Sequence, residues 1–298
     1  MRYVVDAHLA NWFWKEAGER RYRREQAFCR RKLDLLQDYI PLAKTLKPET
    51  ENAVALTETP SEPIFMFWQQ GEAEEPPIVR KCIAEARRIY GEKLVFLCGK
   101  NLYDYIRLPD YVMEKWNLGQ MIPAHFADIV RLELLYRYGG FWMDATLFPT
   151  GPVKKEIEEA DFFMYVTGRN KTSQMMVHNC FIRARKGNQL LSLWRQLVME
   201  YWRREEKAKA YYLVHFLFQL LIRHNSLAAA EYAGMPKIET PCILRLWENV
   251  GNQPYDPELE REIKNEAFFQ KCTYKRHKGW VNDIIPGSMA NHIIDHKE

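Results

Sequence analysis

Residues 121–149, MIPAHFADIVRLELLYRYGGFWMDATLFP, restrict the possible folds more than any other stretch. Pro123 suits the first turn of a helix and Gly139-Gly140 a stop, which predicts a helix running to Tyr138. Phe126, Ile129, Val130, Leu132, Leu134 and Leu135 surround nearly its whole circumference, so most of the helix must lie inside. It nevertheless carries four charges. Glu133 and Arg137 share one face at i,i+4, and Asp128 and Arg131 lie on roughly the opposite side at i,i+3. Buried charge is costly unless it is satisfied. Each pair is therefore either an internal salt bridge or a group displayed into a cleft, and spacing alone leaves both open. Residues 141–148 then read as an apolar strand with Asp144 and Thr146 pointing to the same side.

Upstream, residues 64–68 (IFMFW) form an apolar run bounded by Pro63 and Gln69-Gln70-Gly71, as expected of a buried strand with a loop at its carboxyl end. Pro76-Pro77 open a helix, with Ile78, Val79, Cys82, Ile83, Ala86, Ile89 and Tyr90 at helical spacing and Gly91 as its stop. Residues 94–98 (LVFLC) form the next strand. Strand, helix, strand in this order implies a right-handed crossover and a parallel pair. Ligands of such sheets gather beyond the carboxyl ends of the strands, where Trp68 and the Gln69-Gln70-Gly71 turn lie. Further strands are expected over 162–166 and 180–184, and helices over 189–205 and 208–227. The class is α/β, a mixed sheet flanked by helices.

Residues 1–50 read as a helical segment set apart from a main domain over 51–298. Its stretch 18–40 is dense in Arg20, Arg21, Arg23, Arg24, Arg30, Arg31 and Lys32, preceded by Trp12, Phe13 and Trp14. A solvated helix face is the simpler reading, and contact with anionic lipid head groups the sharper one. The net charge of +4, from 43 basic and 39 acidic residues, is too balanced to indicate nucleic acid. Six cysteines without a CxxC pair fit a reducing cytoplasm. The amino terminus is a poor signal peptide, and the most apolar run, 211–222, is about half the length of a membrane-spanning helix. The expected location is cytoplasmic, with the inner face of the membrane in play through the basic segment.

The segment F-A-D-I-V-R-L-E-L-L-Y-R-Y-G-G-F-W-M-D-A-T resembles the signature of sugar-nucleotide glycosyltransferases with the GT-A fold. The similarity is to the family 32 group with its DxD motif and to the clostridial glucosylating toxins. It is closer to the bacterial capsular polysaccharide synthesis proteins, whose patterns also look like I-P-I-F-M-F-W-Q-Q-G, Y-Y-L-V-H-F-L-F and C-T-Y-K in the same order over 63–275.

The resemblance implies roles for individual residues. Trp68 would stack on the base, with Gln69, Gln70 and Gly71 close to the nucleotide. Asp128 and Arg131 would grip the donor sugar and its phosphates, and Asn179 would lie near the sugar. Asp144 matches the first Asp of DxD and would contact the ribose or a metal-bound water. Thr146 replaces the second Asp, which in relatives ligates Mn²⁺ or Mg²⁺, so metal would bind less tightly or give way to basic side chains such as Lys275, Arg276 or His277. The expected activity is a retaining transfer from a UDP-sugar to a glycan or lipid-linked glycan acceptor. The alternatives are a catalytically weakened nucleotide-sugar-binding or scaffold protein of the same fold, and a membrane- or nucleic-acid-binding protein driven by the Arg-rich segment.

Overall fold

The computed structural model describes residues 23–24, 27–49, 54–167, 176–276 and 283–295. Trp12, Phe13, Trp14, Arg20, Arg21, most of the 167–174 loop and His277 lie outside the described residues.

The apolar runs become strands β1 (Ile64–Phe67) and β2 (Leu94–Leu97), joined through helix α2 (Pro77–Tyr90); α1 (Ile40–Thr45) precedes them. The two strands pair in parallel, Ile64 opposite Leu94 through Phe67 opposite Leu97, as the strand–helix–strand pattern requires. The focal helix is α3 (Pro123–Tyr138), followed by β3 (Gly140–Met143) and β4 (Leu147–Pro149). After these come β5 (Phe162–Val166), β6 (Val177–Ala184), α4 (Gln189–Arg204), α5 (Leu213–His224) and α6 (Ser226–Gly234). Helix α7 (Pro257–Glu266), strand β7 (Phe269–Lys271) and helix α8 (Met289–Asp295) complete the chain.

The central sheet has five strands in the order β2-β1-β3-β6-β5. β1 and β3 are parallel, and β3–β6 and β6–β5 are antiparallel, so this is the mixed Rossmann-type sheet expected. Helix α3 packs on it and on α4 and α5, burying Phe126, Ile129, Val130, Leu132, Leu134 and Leu135. Fully burying each such side chain contributes about 1.5–3 kcal/mol, which is why the apolar pattern runs right round the helix.

Two glycines are required where α3 hands over to β3. Gly139 and Gly140 have φ of +71° and +88°, and a Cβ on Gly140 would lie 2.3 Å from the Pro63 carbonyl oxygen. That carbonyl accepts from Phe141 N–H at 2.7 Å and locks the start of β3 to the start of β1.

Two sequence expectations are corrected. Residues 141–148 do not form one strand. The Asp144 N–H donates to Cys180 O at 2.8 Å, the chain then turns, and Leu147 N–H closes the turn onto Asp144 O at 2.9 Å. β4 leaves the central sheet and pairs antiparallel with β7, so Asp144 and Thr146 occupy a turn and not one face of a strand. The expected helix over 208–227 begins at Leu213 and breaks at Asn225. The Asn225 side chain accepts from Leu227 N at 3.1 Å and Ala228 N at 3.2 Å, capping α6. Its amide donates to Ala43 O at 2.9 Å and Leu46 O at 3.0 Å. These bonds, with buried Leu36, Tyr39 and Ala43, join residues 36–46 to the main core. A second, smaller core under β4 and β7 contains Phe148, Trp247, Ile263, Cys272 and Ile293.

Candidate active site

An open cleft of about 570 Å³ lies beyond the carboxyl ends of β1 and β3. Trp68, Gln69 and Gln70 form one wall, Arg131 and Trp142 the floor, and Asp144, Thr146 and Lys271 the opposite side. The Trp68 indole N–H and Gln69 Oε1 are buried without a hydrogen-bond partner, and buried polar groups left so cost about 1–3 kcal/mol each. Tyr274 meets the Trp68 ring edge-on, at 5.5 Å between centroids. Tyr274, Tyr211 and Ile122 line the same cleft while remaining exposed, which gives its mouth an apolar rim.

Arg131 is the hub. Its Nε donates to Ala127 O at 3.2 Å and its Nη1 to Asn179 O at 2.7 Å. Nη2 lies 3.3 Å from Asp128 Oδ1 and 3.5 Å from Asp144 Oδ1. The guanidinium also sits 4.9 Å over the Trp142 ring. Asp128 stands behind it and accepts from Asn179 Nδ2 at 2.9 Å. Burial pushes the Asp128 carboxyl above its ordinary range, while the Arg131 charge pulls the other way.

Asp144 is held from three sides. Its Oδ1 accepts from Trp142 Nε1 at 2.8 Å, and its Oδ2 faces Lys271 Nζ at 3.6 Å. Burial opposes the Lys271 charge, but Cys180 and Asp144 outweigh it, and the ammonium stays protonated above the usual lysine value. Cys180 itself is pushed up to about 11 by burial. Behind this group His215 is buried with Nδ1 unpartnered. Burial, with His178 and Arg131 nearby, holds its imidazole well below the ordinary histidine value.

Of the residues expected from sequence, Trp68, Gln69, Gln70, Arg131, Asp144 and Thr146 line the cleft. Asp128 and Asn179 are buried behind it as supports of Arg131. Gly71 is in the turn below, with φ of +82° and its N–H on Trp68 O at 3.0 Å. Lys275 lines the cleft, and Arg276 is exposed and paired with Asp283 at 3.6 Å. Lys271, Tyr274 and Tyr211 went unassigned in the sequence. Lys271 lies in the alternating run FFQKC, a signal for a short strand with one polar face.

The resemblance to DxD proteins implies a divalent cation, and the donor set does not fit one. Among the described residues Asp144 is the single carboxylate lining the cleft, Thr146 is neutral, and Arg131 and Lys271 already flank the carboxylate. Among the described residues no three His, Cys, Asp or Glu side chains converge to hold a metal ion. Mg²⁺ and Mn²⁺ favour oxygen-rich, anionic sites.

A family model described as capsular polysaccharide synthesis protein matches residues 11–293. The chain belongs to that family. Two fungal relatives share part of the sequence: O-glycosyltransferase braB of Annulohypoxylon truncatum, 28% identical over 157 residues, and O-glycosyltransferase PaGT of Phomopsis amygdali, 23% identical over 155. Each match spans 47% of this chain, but only 37% and 38% of the respective relative. A solved structure titled PaToxG Glycosyltransferase aligns over 82% of this chain and 95% of its own, with 13% identity and a TM-score of 0.40. Among the described residues of this family member, no helix is long and apolar enough to cross a membrane.

Proposed function

We propose that this chain is a GT-A-type glycosyltransferase of capsular or other surface polysaccharide synthesis. It moves a sugar from a nucleoside diphosphate sugar, UDP-linked, to a glycan or lipid-linked glycan acceptor. The observation that carries the reading is the pairing, in one cleft, of the Trp68 wall with the buried Arg131 guanidinium and the half-buried Lys271 ammonium, both beside Asp144. An indole face suits a nucleobase, and fixed positive charge suits the diphosphate that departs. The Trp68 N–H and Gln69 Oε1 are an unsatisfied donor and acceptor within that wall, both buried from solvent.

In the reaction the acceptor hydroxyl attacks the anomeric carbon and the bond from that carbon to the β-phosphate oxygen breaks. The acceptor's proton passes to the leaving phosphate oxygen, which gives retention by front-face attack. Retention rests on the likeness of the A-D-x-x-R…G-G-x-W-x-D segment to retaining transferases. Asp144, fixed by Trp142, Arg131 and Lys271, orients ribose or sugar hydroxyls, and the apolar rim of Tyr211, Tyr274 and Ile122 receives the acceptor. Orientation and electrostatic stabilisation supply most of the acceleration.

A second reading, a nucleotide-sugar binder with weakened transfer, is favoured by the neutral Thr146, which stands where the resemblance to DxD proteins implies an acid. Thermal unfolding against UDP-, GDP-, CMP- and TDP-sugars tests both, because a ligand of the native state raises the midpoint by mass action. UDP-sugars should raise it, and mass spectrometry should detect sugar release or transfer. Stabilisation without product over long incubation would select the second reading, and no response to any nucleotide would exclude both. Asp144→Asn should lower donor turnover by about tenfold or more, as expected when one charge-assisted contact is lost. The basic amino-terminal segment would bring the enzyme to the inner face of the membrane. Equal binding to anionic liposomes by the full chain and a chain lacking residues 1–50 would rule that out.

A further inference from the structure

We infer that the Lys271 ammonium takes the place of a divalent cation in this site and neutralises the diphosphate directly, so that donor binding needs no metal. The inference rests on the nucleotide-sugar reading and deepens it.

The first support is position. Lys271 is fixed against the Asp144–Thr146 turn by backbone bonds alone: Leu147 pairs with Lys271 across β4 and β7, and the Cys272 N–H donates to Thr146 O at 2.8 Å. Its neighbours Gln270 and Cys272 turn inward and are buried. Lys271 itself is half-buried and lines the cleft, with its Nζ 3.6 Å from Asp144 Oδ2. An ammonium therefore already stands beside the Asp144 carboxylate, on the strand that pairs next to Thr146.

The second support is donor capacity. Of the other cations lining the cleft, Lys275 is exposed, and Arg131 has all three of its nitrogens engaged, by Ala127 O, Asn179 O and the two carboxylates. Lys271 has three N–H donors, and its ion-pair partner among the described residues is Asp144, at a long 3.6 Å. It therefore keeps donors for phosphate oxygens without breaking a structural bond. The third support is charge. Thr146 is neutral, so no second carboxylate stands beside Asp144 to hold a metal, and Lys271 is less neutralised than an acid at 146 would leave it. Thr146 and Lys271 thus form one device.

The test is calorimetric titration of UDP into the full-length protein, in EDTA and in Mn²⁺ or Mg²⁺. UDP should bind equally, within about twofold, in all three buffers. Lys271→Met should weaken it about tenfold to a hundredfold, the effect of removing a charged hydrogen bond, and Lys271→Arg should restore most of the loss. Uridine, which has no phosphate, should give the same saturation-transfer signal with wild type and Lys271→Met, which shows that the base pocket survives. UDP binding that vanishes in EDTA and returns with Mn²⁺ would overturn the inference while leaving the transferase reading intact. So would UDP affinity unchanged by Lys271→Met, or uridine binding lost together with UDP. Failure of wild type to bind UDP in any buffer would remove the nucleotide reading itself, and this inference with it.

Discussion

In the sequence Glu133–Arg137 and Asp128–Arg131 are equivalent puzzles, two opposite-charge pairs on one buried helix, and only their partners tell them apart. Glu133 is fully buried; it accepts from Arg137 Nη2 at 3.0 Å and from Arg195 Nε on α4 at 2.5 Å. Arg195 also lies 4.3 Å over Tyr136 and reaches Glu49 at 3.2 Å. That network ties α3 to α4 and to the segment before β1, and none of its members lines the cleft. Glu133→Ala should therefore destabilise the fold by roughly 3–5 kcal/mol, because it removes the carboxylate shared by two guanidinium groups that are largely out of water. Donor affinity per folded molecule should not change. Urea unfolding together with UDP titration checks both halves; a fall in affinity at unchanged stability would put Glu133 in the site after all. Asp128 is the contrasting case, since its carboxylate supports Arg131, which does face the cleft.

At the level of elements, the parallel β1–β2 pair, α3 and the glycine stop were legible because each is set by local pattern: continuous apolar runs, proline at a first turn, glycine at an end. The turn at Asp144–Thr146 was not. It depends on a long-range bond to Cys180 O and on β7, more than a hundred residues away, pairing with β4. The same distance hid Lys271, whose significance exists only once β7 lies beside Thr146. Asp128 and Asn179 were expected against the donor, and their burial behind Arg131 was not legible, because a helical spacing does not say what faces it. The glycine stop permits a sharp prediction. Gly140 combines φ of +88° with a Cβ position 2.3 Å from the Pro63 carbonyl oxygen, a backbone atom that cannot swing aside. Gly140→Ala should cost about 1–3 kcal/mol for the dihedral alone and more for the displaced Pro63–Phe141 hydrogen bond. It should lower the thermal midpoint by many degrees and also impair donor binding, since β3 carries Asp144. Gly151→Ala, where no atom lies within 4 Å of the added Cβ, is the control expected to be nearly silent.

For the whole molecule, the arrangement behind the cleft makes stability depend on pH in a defined direction. His215 is buried and its imidazole is held well below the ordinary 6.5 by burial, with the charges of His178 and Arg131 acting the same way. In the unfolded chain it titrates near the ordinary value. Between the folded value and 6.5 the unfolded state thus binds more protons than the native state, and unfolding free energy rises with pH. The contribution of neutral His215 is complete above 6.5 and is lost as pH falls below it, at up to about 1.4 kcal/mol per pH unit. Asp128 acts oppositely lower down. Burial raises its pKa, so in the window just above 3.8 the native state binds the extra proton and stability falls as pH rises. The two effects are separated by comparing wild type with His215→Gln, which cannot titrate. Urea midpoints at pH 7.5, 6.5 and 5.5 should show wild type losing stability progressively below 6.5, with the variant losing clearly less. Parallel profiles for the two proteins would mean that burial does not hold His215 neutral in the folded protein.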